Sequence, residues 1–137
     1  MPSKLPFSGL LLLALCACSS SPPYPVRMIG SGDAENMSNV VVLEENLRDM
    51  IVMVERANVE RVPGSNQLKV MVPLRNISSE QIEVLVQVSF LDGRRAPIGD
   101  DTNQRLHLIG PGATLPLTLL SKSDAAQDWT MRISWNH

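Results

Sequence analysis

Aromatic residues are scarce in this chain, five in 137 residues, so any core must be built from Val, Leu, Ile and Met. Cysteine is confined to Cys16 and Cys18, and histidine to His107 and His137. Everything after residue 18 therefore lacks a thiol and can form no disulfide. Lys and Arg form no block of the kind that binds nucleic acid, and there is no acidic tail. No apolar run approaches the roughly 20 residues a membrane-spanning helix needs. Those absences argue against a disulfide-stabilised fold, a nucleic-acid binder and a membrane-spanning helix.

What is present begins at the N-terminus. Lys4 supplies one positive charge, and a short apolar stretch centred on LLLLAL at residues 10–15 follows it. A basic start, a short apolar run and small residues before a cut site describe a secretory signal. The segment ends Leu15-Cys16-Ala17-Cys18, which resembles the lipobox of bacterial lipoproteins. That resemblance implies diacylglycerol on the Cys18 thiol, cleavage before Cys18 and acylation of the new amine. Small Ala17 suits the position before the cut, whereas Leu15 before Cys16 does not. Ser19 follows rather than Asp, so the resemblance implies the outer membrane rather than retention at the inner one. Acyl chains contribute about 0.8 kcal/mol per buried methylene, so three chains anchor firmly. Removal of residues 1–17 leaves 120 residues, with 11 basic against 14 acidic side chains, a net charge of −3.

Residues 19–39, SSSPPYPVRMIGSGDAENMSN, are rich in Pro, Ser, Gly and Asn and show no apolar period. They read as a tether that spans roughly 25 Å as a coil and about 70 Å extended. An N-terminal strand at residues 26–29 packed on the domain is the competing reading.

From residue 40 onward the pattern is that of strands. QLKVMVPLRN, residues 67–76, and EQIEVLVQVSFL, residues 80–91, alternate apolar and polar positions and flank the turn at residues 76–79, predicting a long hairpin. Pro73 lacks an N–H and predicts an edge or a bulge at its position, and Pro116 in ATLPLTLL does the same. Shorter strands are predicted at RLHLI, residues 105–109, at ATLPLTLL, residues 113–120, and at WTMRISW, residues 129–135. Turns are predicted at DGRR, residues 92–95, and at Gly110-Pro111-Gly112, and a loop at residues 99–103. Residues 43–62 fit a helix or a strand. A strand from about Ile51 to Val62 gives the later elements a partner, with a short first strand at residues 40–43 and a turn at residues 44–49. The sum is an all-β chain, an immunoglobulin-like antiparallel β-sandwich of about seven strands.

The order of these landmarks, with VPLRNISSEQIEVLVQVSFLDGRR followed by GPGAT, resembles the YcfL-like family of small bacterial envelope lipoproteins. Where family members often carry an aromatic residue, this chain has Leu106-His107-Leu108. The resemblance implies a β-sandwich in the periplasm with no established chemistry, and so no catalytic residues to carry over.

The residues themselves offer little for catalysis. Ser121-Lys122-Ser123 is the nearest approach to a Ser–Lys pair, and it lacks a supporting motif. Asp100-Asp101-Thr102-Asn103 supplies oxygens without the spacing of a calcium loop. No catalytic residue, metal ligand or cofactor is assigned. Three residues are candidates for interaction. Arg94 and Arg95 on a hairpin tip suit a carboxylate or phosphate, and Trp135 near the C-terminus suits an interface anchor. The expected organisation is a signal peptide at residues 1–17, a lipidated Cys18 with its tether at residues 18–39, and a sandwich at residues 40–137. The expected role is non-enzymatic: an outer-membrane lipoprotein facing the periplasm that binds another envelope protein by a sheet edge or loop tips. A peptidoglycan- or lipid-binding module is the alternative, and an enzyme or hydrolase accessory the third.

Overall fold

A computed structural model describes residues 22–29 and 39–137. The signal peptide and the lipidation site expected at Cys18 lie outside the described residues. Among those described, eleven strand segments and one helical turn form a two-layer sandwich. In chain order they are β1 (Tyr24–Pro25), β2 (Arg27–Met28), β3 (Val40–Val42), α1 (Glu45–Arg48), β4 (Ile51–Met53), β5 (Asn58–Arg61), β6 (Leu68–Asn76), β7 (Ile82–Leu91), β8 (Pro97–Asp101), β9 (Arg105–Ile109), β10 (Thr114–Leu120) and β11 (Asp128–Trp135). One sheet runs β1-β3-β11-β7, with β8 and β9 both paired to β7. The other runs β10-β6-β4-β2, with β5 also paired to β6.

The alternation in β6 and β7 is the reason for two layers. Val70, Val72 and Leu74 of β6 and Val84, Val86 and Val88 of β7 are fully buried. Each such aliphatic side chain contributes about 1.5–3 kcal/mol on burial. Phe90 and Trp129 are buried in this aliphatic core, as the composition requires. The sheets are not wholly antiparallel, because β3 joins β11 and β2 joins β4 in parallel.

The single strand expected from about residue 51 to 62 is broken into β4 and β5. Both pair with β6, and residues 54–57 bulge out between them opposite Val72 and Pro73. Pro73 explains the break. Its carbonyl accepts the Val54 N–H at 3.1 Å, so its ring nitrogen faces the same neighbours with no proton to offer. On its other side Pro73 stands directly opposite Pro116 of β10. Ala113, Leu115 and Leu117 bond to β6 in that register, so Pro116 turns its ring nitrogen outward at the edge, where no ladder bond is lost. The turn expected at residues 44–49 is tightened into α1, which buries Leu47. The loop expected at residues 99–103 begins as strand, since β8 pairs with β7 beyond a bulge at Phe90/Leu91.

The expected tether is also corrected. Tyr24 pairs with Val42 in one sheet, Arg27 pairs with Val52 in the other, and Val26 between them donates to the Val40 carbonyl at 3.0 Å. Tyr24 and Val26 are buried, and the Arg48 guanidinium stacks 5.2 Å from the Tyr24 ring centroid. Residues 24–28 thus cross from one sheet to the other and stitch one side of the sandwich. Two apolar side chains are enough to hold them there, although a pair of two-residue strands has no periodicity to read.

Candidate functional site

The opposite side of the sandwich is open. β9 continues the first sheet beyond β7, and Gly110-Pro111-Gly112 then carries the chain to β10 at the margin of the second sheet. Gly112 has a φ of 71°, which favours a residue without Cβ. Asn76 fixes this corner. Its amide donates to the carbonyls of Glu80 at 2.6 Å and Ile109 at 2.9 Å, and its oxygen accepts from the N–H and hydroxyl of Ser78. The turn after β6 is thereby tied to the turn after β9.

Leaving that corner, β9 and β10 bound a cleft of about 260 Å³ lined by Arg105, His107, Leu115, Pro116, Leu117, Thr118 and Leu119. Burial, and then the charge of Arg105, hold the His107 imidazole below its ordinary value of 6.5. The ring is therefore neutral at pH 7, and Arg105 is the charged group of the lining.

The hydrogen-bond phase of β9 decides what it can do. The Val88 carbonyl accepts from Thr102, so Val86, Val84 and Ile82 also turn their backbone groups toward β9. Arg105, His107 and Ile109 are their partners. The N–H and C=O groups of Leu106 and Leu108 consequently point away from β7 at a free edge. Their side chains are 50% and 54% exposed, beside half-buried Leu85 on β7. Natural edges are usually guarded by Pro, Lys or a bulge. β10 has Pro116 at its outward positions, whereas β9 has no Pro, Lys or bulge, and its one charge, Arg105, faces the cleft.

The residues singled out from the sequence do not converge. Arg94 and Arg95 sit on the turn between β7 and β8, where the Asp92 carboxylate accepts the N–H groups of Arg94 and Ala96. Arg95 has a φ of 62° and is bound to Asp128 at 2.8 Å. The Arg94 side chain is exposed and makes no ion pair among the described residues. Trp135 is half-buried, and its indole N–H donates to Asn46 of α1 at 3.0 Å. Seven strand steps of β11 separate Trp135 from Asp128, roughly 23 Å at the usual strand rise. Trp135 and the arginine tip are therefore at opposite ends of one sheet.

Ser121 is buried, accepting the Leu68 N–H and donating to the Ser123 carbonyl. The Asp100 carboxylate accepts from the backbone of Lys122 and Ser123. Ser121 ties the loop after β10 to the start of β6, and Asp100 ties the same loop to β8. The sequence did not single out β9 as a site. Its signal was present in RLHLI, where the leucines alternate with Arg105 and His107, so that turning Ile109 inward turns both leucines outward.

Comparison with solved structures finds the same fold in two bacterial proteins. One is Campylobacter jejuni cj0090, with a TM-score of 0.60 and 21% identity over 72% of this chain and 99% of that one. The other is a DUF1425 family member from Shewanella sp. pv-4, with a TM-score of 0.54 and 11% identity over 64% of this chain and 77% of that one. No family model and no curated protein matches the sequence. At these identities the likeness is one of fold. It supports an all-β sandwich, and it assigns no chemistry to the cleft.

Proposed function

We propose that this protein is a lipid-anchored module of the outer membrane, facing the periplasm, that binds another envelope protein without catalysing a reaction. In this reading the partner adds an extended strand to β9. The observation that carries it is the free β9 edge, with outward backbone groups at Leu106 and Leu108 and two exposed leucine side chains beside them. Main-chain hydrogen bonds would supply affinity, and the leucines, Leu85 and the cleft would supply side-chain selectivity. The YcfL-like resemblance and the lipobox at residues 15–18 support the envelope location.

The test combines two variants. Cys18→Ala should release the protein from the membrane fraction, and retention there would contradict the anchor. Leu108→Pro removes an outward N–H that no strand among the described residues uses. It should abolish co-purification of the partner while leaving the circular dichroism spectrum unchanged. Undiminished co-purification would contradict strand addition. The ligand alternative, peptidoglycan or lipid at the arginine tip, would rest on Arg94, because Arg95 is already neutralised by Asp128. Binding to isolated sacculi that is lost in Arg94→Ala would favour it.

A further inference from the structure

The N-terminal stitch has a consequence for how the domain sits on its membrane. This inference rests on the lipid anchor at Cys18. Five residues, from Ser19 to Pro23, separate Cys18 from Tyr24, the first residue paired to a sheet. Six Cα steps reach at most about 21 Å. Tyr24 then sits opposite Val42 and under Arg48, so the chain joins the sandwich beside α1.

The registers show what else occupies that end. Val42 lies beside Ile133, two residues before Trp135, and Trp135 pairs with Val84 near the start of β7. The Ile77 N–H donates to the Met50 carbonyl, which brings the turn between β6 and β7 to α1. One end of the sandwich therefore gathers α1, the turn after β6 and the C-terminus. It exposes Leu43 (40%) and Ile77 (49%). Arg48 pairs with Glu45 and Arg27 with Asp49, whereas Glu80 and Glu83 of the same end are exposed and make no ion pair among the described residues. The other end carries the Arg94–Arg95 tip, a β7 length away, roughly 30 Å.

We infer that the α1 end is held against the bilayer that carries the acyl chains, with the arginine tip presented away from it. β9 then runs along the bilayer normal with its free edge open to the side. A lipid surface is the occupant because the leash keeps the fold's point of entry within about 21 Å of the acyl chains. Acidic side chains outnumber basic ones at this end, so the leash and not attraction to anionic headgroups sets the orientation, and added salt should not weaken it.

The lipidated protein has no free thiol, so single cysteines can report position. Ser79→Cys in the turn after β6 and Arg94→Cys at the tip are both at exposed sites. Each would carry a fluorophore in vesicles of phosphatidylethanolamine and phosphatidylglycerol with a headgroup acceptor. Energy transfer from position 79 should be roughly threefold that from position 94, given the strand length between them. A Gly/Ser insert of about 20 residues between Ser21 and Pro22 should reduce the transfer at position 79 to the level at position 94. Equal or reversed transfer in the protein without the insert would overturn the orientation while leaving the anchor standing. Protein that fails to sediment with the vesicles would overturn the anchor and the orientation together.

Discussion

Asn76 is fully buried, and all four hydrogen-bonding capacities of its side-chain amide are used. Removing it takes away the bonds to the Glu80 and Ile109 carbonyls and to Ser78 that fix the corner from which the cleft opens. Asn76→Ala should therefore lower stability by about 2 kcal/mol in urea unfolding, the cost of unpaired buried polar groups. His107 is the residue whose titration the fold opposes. Burial and Arg105 lower its pKa below 6.5, so the unfolded chain binds the proton more readily than the folded one. The stability tied to this group is complete above the unfolded value and falls as the pH drops below it. Between about pH 7.5 and about pH 5 the urea midpoint of the native protein should fall more than that of His107→Gln. Parallel pH profiles for the two would show that the ring is solvated. Neither role was legible from residue type alone. The turn at residues 76–79 was readable, but the long-range bond from Asn76 to Ile109 depends on how β9 folds back.

At the scale of elements, legibility followed periodicity. β6 and β7 alternate over nine and ten residues, enough to fix both their existence and their inward faces. Residues 43–62 failed that test because three short pieces, α1, β4 and β5, each last four residues or fewer. Helical and strand spacing overlap in so short a window. The presence of a bulge was foreshadowed by Pro73, but its position on the β4–β5 side follows from the direction in which the Pro73 backbone points. Residues 24–28 were least legible, because their order comes from the cleft between the sheets that they fill. The packed N-terminal segment predicts a cost that a free tether would not show. Val26→Ala should destabilise the domain by about 2 kcal/mol. A change near zero would restore the tether reading for that stretch. The arginine tip and Trp135 were readable as a turn and a strand end. Their partners Asp128 and Asn46 lie 33 and 89 residues away, and no local pattern announces them.

The whole molecule is a sandwich with unequal sides. One is stitched by the segment that leads to the proposed anchor, and the other is left open between β9 and β10. Fold, anchor and free edge then divide the work. In the proposed function the acyl chains fix location, the stitch fixes orientation, and β9 is the edge offered to a partner. The most direct measurement is in-cell photocrosslinking of the lipidated protein from positions Leu106 and Leu108, with Thr118 on the guarded β10 edge and Arg94 at the tip as comparison sites. The account predicts capture of one envelope protein from positions 106 and 108 but not from 118 or 94, and its loss when Leu108→Pro is combined with the Leu106 probe. Equal capture from all four positions, or capture at Leu106 that survives Leu108→Pro, would contradict strand addition at β9.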